Sequence, residues 1–227
     1  MRTVTFKLIA ARAQLGTALA LFLDDAEPYS IHCLACSCGE VLSGHLGGGE
    51  PSFTDLITDY GKAADPRAVE KARKQYVNAL KHFNTHGGKP RYGDEGLLRG
   101  FSDDLNDAVL FHAWFDYGQI MRSKPLEAQV FEAWFLSKLG WLSKDYANRF
   151  FPGLLVSERV VQKEILRAAI ALARADPRVG TSSKTERLPL KLSLGAISDL
   201  SARVSPPQPV PRYQTCGLQA SSFKEAD

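Results

Sequence analysis

Two methionines, three tryptophans and four cysteines in 227 residues exclude several specialised designs. Three of the cysteines, Cys33, Cys36 and Cys38, fall within one six-residue stretch. That crowding draws no disulfide framework of a secreted domain and favours a reduced, cytoplasmic setting. Charge of one sign is not in large excess. The formal net charge is +3, too mild to argue for nucleic acid, whose partners carry a concentrated basic face. Long apolar runs are missing too. Leu15 to Leu23 follows Arg2 and Lys7 in the manner of a signal peptide. Arg12 and Gln14 interrupt it, and Asp24-Asp25-Ala26-Glu27 makes a poor cleavage region. No run approaches the roughly 18 residues of a membrane span, so no membrane partner is expected. Gly47-Gly48-Gly49 lacks the Lys-Ser/Thr of a phosphate loop. Neither a nucleophile elbow nor an ordered Ser-His-Asp set can be read, and strand patterns are weak.

What remains is helical. The chain is 44% hydrophobic and 23% charged, enough apolar material for a sizeable core. Residues 4–24 place Leu8, Ala11, Leu15, Ala18 and Phe22 at helical spacing. Ile31 to Leu46 reads as a second helix, ending at the glycine triplet. Ser52 can cap a short helix through Asp55 to Tyr60. Asp65-Pro66 is a helix start, a cap followed by proline at the first helical position. Val69, Ala72, Tyr76, Leu80 and Phe83 are expected to form the buried stripe of that helix. Residues 84–100 read as loop. Ser102 is expected to cap a central helix that is apolar nearly all round, with Asp103 and Asp104 at its positive end. Pro125 opens another helix, Lys144 to Phe150 a short one, and Glu158 to Ala175 the last strong one. Its expected stripe is Val161, Ile165, Ala168 and Leu172. Beyond Pro177 the composition turns to serine, threonine and proline.

The fold class is therefore all-α: an antiparallel bundle of about seven or eight helices over 1–177. A largely unstructured Pro/Ser-rich tail is expected over 178–227, within which Leu188 to Leu200 can dock.

Several polar groups are candidates for a site. Asn78 and His82 stand four residues apart, a spacing that shares a helix face. They lie opposite the Val69–Tyr76 stripe, so packing alone does not explain them. Lys81, His86 and Arg91 are the neighbouring candidates for binding. His82 and His86 repeat the spacing of helical metal ligands, but no Glu follows His82, and Gly87-Gly88 ends the helix. His112 and Asp116 are also four apart. A general base held by a carboxylate would look like this, as would a hydrogen-bonded core histidine. Cys33 and Cys36, with His45 downstream, have the gap of a zinc knuckle but lack a second ligand pair. Core packing explains them more simply, and no metal or cofactor is expected.

Gln14-Leu15-Gly16-Thr17-Ala18-Leu19-Ala20-Leu21-Phe22-Leu23, Pro28-Tyr29-Ser30-Ile31-His32-Cys33-Leu34-Ala35 and Asn78-Ala79-Leu80-Lys81-His82-Phe83 resemble an uncharacterised bacterial family of small helical proteins. The resemblance extends over residues 8–140 and includes the aromatic helices around Trp114 and Trp134. The helical hairpin and the Asn-x-x-x-His pair also resemble HEPN domains, which occur in toxins, ribonucleases and defence proteins. HEPN ribonucleases carry an Arg four to six residues before the His; here Val77 precedes Asn78 and Arg73 is too distant. The resemblance to HEPN domains implies a binding or regulatory module, with RNA or a protein as partner; a homodimer is expected separately, from the polar Asn78/His82 face and the few apolar stripes elsewhere on the surface. The alternative it implies is a metal-independent ribonuclease using His82 and Asn78. A zinc protein using Cys33, Cys36 and His45 is the third reading.

Overall fold

The structure is a computed structural model and describes residues 5–46, 51–60, 65–85, 87–202 and 204. Among these residues there are eleven α-helices, one turn of 3-10 helix at Leu154–Val156 and no strand. In chain order the helices are α1 (Phe6–Leu23), α2 (Pro28–Leu46), α3 (Phe53–Tyr60), α4 (Pro66–Lys81), α5 (Asp94–Arg99) and α6 (Leu105–Met121). They continue with α7 (Leu126–Lys138), α8 (Lys144–Phe150), α9 (Arg159–Ala175), α10 (Pro177–Gly180) and α11 (Leu194–Ala202). The all-α expectation holds, with more helices than the seven or eight expected. The additional ones are short.

Local chemistry sets several boundaries. The Thr5 hydroxyl accepts from the Leu8 amide at 3.2 Å and starts α1. Ser52 and Asp55 cap α3 reciprocally: Ser52 Oγ accepts from Asp55 N, and Asp55 Oδ2 accepts from Ser52 N. Asp65 accepts from Arg67 N at 3.0 Å, with proline in the first turn of α4. The second helix starts at Pro28, earlier than Ile31, because the Glu27 carboxylate takes the Tyr29 and Ser30 amides.

The core sits where α2 and α6 lie against one another and α1 covers them. Trp114, Trp134, Phe22 and Phe131 are fully buried. Phe22 meets the Phe131 ring edge-on at 5.5 Å and the Trp134 ring at 6.3 Å. Helix α1 meets the length and mean hydropathy of a membrane span, contrary to the reading that no run approaches one. More than half of it is buried inside the bundle.

Four expectations need correction. First, the stripe on α4 is rotated. Tyr76 turns inward as expected, but Ala72 and Leu80 are exposed, as is Phe83 just beyond the helix, and Arg73 and Val77 take their place. Val69 lies outside the described side chains. Second, the inner face of α9 is Lys163, Leu166 and Ile170, while Val161, Ala168 and Leu172 are exposed. A lysine takes the inner side because its ammonium meets Asp103 at 2.9 Å and Asp25 at 3.1 Å, above the Phe22 ring. Third, α6 begins at Leu105 rather than beside Ser102. Asp103 and Asp104 do not simply face the helix dipole; they are drawn to Lys138, Arg159 and Lys163. Fourth, order does not stop at Pro177. Lys124 and residues 184–186 exchange backbone hydrogen bonds, while the docking expected within Leu188 to Leu200 is found, with α11 packed on α1. The Pro206–Pro211 stretch, Gly47-Gly48-Gly49 and Cys216 lie outside the described residues.

The strap over residues 184–190 is fastened by Arg12. That guanidinium is 2% exposed. It donates to Glu186 at 2.8 Å and to the carbonyls of Leu190 and Pro189 at 2.9 and 3.1 Å. Tyr117 adds its hydroxyl to the same Glu186 carboxylate. Gly16 makes the approach possible, because a Cβ there would lie 2.0 Å from the Leu190 carbonyl oxygen.

Candidate functional site at the end of helix four

The α4 helix stops at Lys81, and this decides the geometry of the Asn78–His82 pair. His82 is the C-cap, with extended backbone at φ −119° and ψ 108°. Its amide still donates to the Asn78 carbonyl at 3.1 Å. His82 thus closes the last turn that begins at Asn78, and its own ψ turns the following chain away from the helix. Asn78 is half-buried; His82 and Lys81 are exposed. His86 lies outside the described residues.

After His82 the chain forms a small hairpin. Arg91 N donates to Phe83 O at 3.0 Å, Thr85 N donates to Lys89 O at 2.8 Å, and Asn84 and Pro90 form an antiparallel bridge. Arg91 pairs with Asp94 at 2.7 Å, at the start of α5. The hairpin displays Phe83 and Tyr92, each 78% exposed. They are the most exposed aromatic rings among the described residues, ahead of Trp141 and Phe6.

A local excess of positive charge lies in the same place, as another does over residues 159–191, where eight Lys or Arg stand against three Asp or Glu. Residues 65–92 carry seven Lys or Arg against two Asp or Glu, a net +5 in a chain whose total is +3. Arg67, Lys71, Lys74 and Asn78 follow one another at four, three and four residues along α4, lining a shallow groove with Thr54 and Glu70. Arg67, Lys71, Lys81 and Lys89 are exposed. Lys74 is tied to Glu70 and Glu40 at 2.6 and 3.1 Å. The total charge concealed this concentration; a running local sum would have found it. The two aromatics were assigned by periodicity to core or loop, and no sequence signal marks their exposure.

The other candidates sit elsewhere. His112 and Asp116 do meet, at 3.3 Å, but inside the core. Asp116 is wholly buried and accepts from Ser43 Oγ and from Phe53 N, each at 2.8 Å. It thereby joins α2, the first turn of α3 and α6. His112 Nδ1 accepts from Arg73 Nη1 at 3.0 Å. The histidine therefore links an arginine to a carboxylate, and both ring nitrogens are engaged within the protein.

Cys33, Cys36 and His45 do not converge. His45 lies nine residues beyond Cys36 on α2, about 13 Å along the axis, and contacts Thr5 and the Val41 carbonyl. Among the described residues no group of three metal-ligating side chains comes together. Burial pushes the Cys36 and Cys38 thiols up to about 12, so both are poor nucleophiles in the folded protein. Iodoacetamide at mildly alkaline pH is accordingly expected to leave Cys36 and Cys38 unmodified until the protein unfolds. Peptide mass spectrometry checks this; labelling of either at the rate of a free thiol in the native protein would contradict the burial.

No protein family, curated protein or solved structure matches the chain.

Proposed function

We propose that this is a helical binding module for single-stranded RNA, with its contact surface on the outer side of α4 and on the hairpin that follows. The observation that carries the reading is the pair of exposed rings, Phe83 and Tyr92, set within the +5 segment. Aromatic faces stack on unpaired bases, and flanking cations follow the phosphates. Lys81, His82, Arg91 and the Arg67–Lys71–Lys74 stripe supply the polar part of the surface. Asn78 adds an amide in the groove. This fits the binding role that the resemblance to HEPN domains implies.

Fluorescence anisotropy with a short labelled oligouridine tests it. Phe83→Ala and Tyr92→Ala are each expected to weaken binding by roughly tenfold, in line with the loss of one stacked base. Both variants should keep the wild-type melting temperature, since neither ring is packed. Affinity should fall steeply with added salt. Binding that is absent, or indifferent to both substitutions, would sink the reading. Gel analysis of the same RNA adds a check on chemistry: cleavage abolished by His82→Ala would replace the binding module with a nuclease.

A further inference from the structure

Helix α9 carries two apolar faces, and its own bundle covers one of them. Leu166 and Ile170 face inward. On the opposite side Val161, Ile165, Ala168 and Leu172 stand four, three and four residues apart, which makes one stripe along the helix. Leu172 is 73% exposed and Val161 43%; Ala168 is exposed and Ile165 half-buried. The stripe runs sideways into a groove of about 560 Å³ toward α8, where Tyr146 and Phe150 lie beside Ala169, Leu172 and Ala173. Arg149 covers part of the Phe150 ring there. The stripe with Tyr146 and Phe150 leaves roughly 500 Å² uncovered, near the top of what the largest patch on a monomer exposes. With its rim included, the surface approaches the roughly 800 Å² that each partner brings to a standard interface.

The charges of α9 bear on what covers this face. All four of its cations turn back to carboxylates of the same bundle. Arg159 and Lys163 meet Asp103 at 2.8 and 2.9 Å, Arg167 meets Asp25 at 2.7 Å, and Arg174 meets Glu127 at 2.6 Å. Glu164 is the one charged residue of α9 beside the stripe. A helix that lies on a lipid surface keeps its cations outward, flanking the apolar face, so this arrangement does not suit a membrane.

The arrangement does suit a second copy of itself. A spacing of four, three and four reads the same from both ends. An antiparallel copy therefore meets the stripe in register, about a two-fold axis between Ile165 and Ala168. Val161 then opposes the second copy's Leu172, and Ile165 its Ala168, so each layer sets a larger side chain against a smaller one. Glu164 faces Ala171 of the second copy, with no like charge opposite. A parallel copy would set Ala168 against Ala168 and leave a void between the Ile165 and Leu172 layers.

We propose that α9 is the interface of a homodimer, in which a second copy of this chain lays its own α9 antiparallel along the Val161–Leu172 stripe. The proposal does not rest on RNA binding by α4, and its surface is not the Asn78/His82 face from which the sequence leads one to expect a homodimer.

Sedimentation equilibrium of the full chain at about 100 μM, above the micromolar range of interfaces this small, is expected to return twice the chain mass. Leu172→Glu and Ala168→Glu should each weaken association by roughly a hundredfold and return the monomer, since each would press a carboxylate against apolar side chains. Both positions are exposed in the single chain, so helical circular dichroism should not change. Leu80→Glu, on α4, should leave the dimer intact. Oxidation reads the direction. Val161→Cys combined with Leu172→Cys should cross-link two chains, while either change alone should cross-link no more than the wild type, because like positions lie about 16 Å apart along an antiparallel pair. A monomeric wild type, or a dimer indifferent to both glutamates, would overturn the interface. Loss of the dimer in Leu80→Glu alone would place it on α4 and overturn it equally. Cross-linking of Val161→Cys by itself would overturn the antiparallel arrangement.

Discussion

Arg159→Ala is expected to cost about 3–5 kcal/mol of folding stability, the range for breaking a buried ion pair by removing one partner. Arg159 reaches from the first turn of α9 to Asp107 on α6 with two nitrogens, at 2.9 and 2.7 Å, and to Asp103 at 2.8 Å. Its guanidinium also lies over the Phe22 and Trp134 rings, at 5.2 and 5.8 Å. Removing it leaves the Asp107 carboxylate, 2% exposed, with Lys138 as its remaining cation. The melting temperature should fall by roughly 6–20 °C, given the scaling for chains of this length. Urea denaturation and calorimetry near neutral pH check it. A loss below about 1 kcal/mol would mean that Asp107 is not a buried charge. The same cluster has an acid signature. Asp103 is partly buried, which raises its pKa, but Lys163 and Arg159 outweigh that and hold the carboxyl below its ordinary value of 3.8. Its contribution is fully present above that ordinary value and is lost as pH falls through the lowered one. Arg159→Ala should therefore also flatten the acid limb of the stability curve.

The second large effect is expected at Arg12. Arg12→Ala removes every side-chain clasp that α1 places on residues 186–190, leaving Glu186 with Tyr117 as its partner. A cost of about 3–5 kcal/mol follows on the same reasoning. The response should be local first, since the strap and α11 can detach while the α1–α2–α6 core stays closed. Trypsin should cut faster after Lys184, Arg187 and Lys191, with far-ultraviolet circular dichroism nearly unchanged. Gly16→Ala provides the companion experiment. Alanine favours α1 itself by about 1 kcal/mol, yet its Cβ would collide with the Leu190 carbonyl. Accelerated cleavage in both variants assigns the effect to the strap; cleavage at the wild-type rate in Gly16→Ala would remove that role from the clasp.

Much of the bundle was legible because helices announce themselves by caps, prolines and period. Asp65-Pro66, Pro125 and the Lys144–Phe150 segment were read to within a residue or so. The stripes on α4 and α9 were not, and for one reason. Periodicity assigns the inner face to the apolar residues, whereas here Arg73 and Lys163 turn inward because carboxylates and rings await them across the bundle. Such partners lie far away in sequence and leave no local trace. The strap was misread on similar grounds. A Ser/Thr/Pro-rich segment looks unstructured until Arg12, 174 residues earlier, is seen to hold Glu186. At the candidate site, Lys81, His82 and Arg91 were read as polar surface and are placed around the hairpin. The helix expected to run to Gly87-Gly88 ends at Lys81, with His82 as its cap.

The Arg12 clasp also bears on the order in which the chain is made. Helix α1 leaves the ribosome early, carrying a cation that ends among Trp114, Tyr117 and Glu186. The carboxylate that completes that environment is translated 174 residues later. Until then α1 and α2 can pair locally, but docking α1 on α6 places the guanidinium beside two rings without its counter-charge. Closure of the bundle is thus deferred to a contact of very long sequence separation, which slows folding. A nascent chain halted before Glu186 leaves the Arg12 guanidinium at the α1–α6 contact without the carboxylate that matches it.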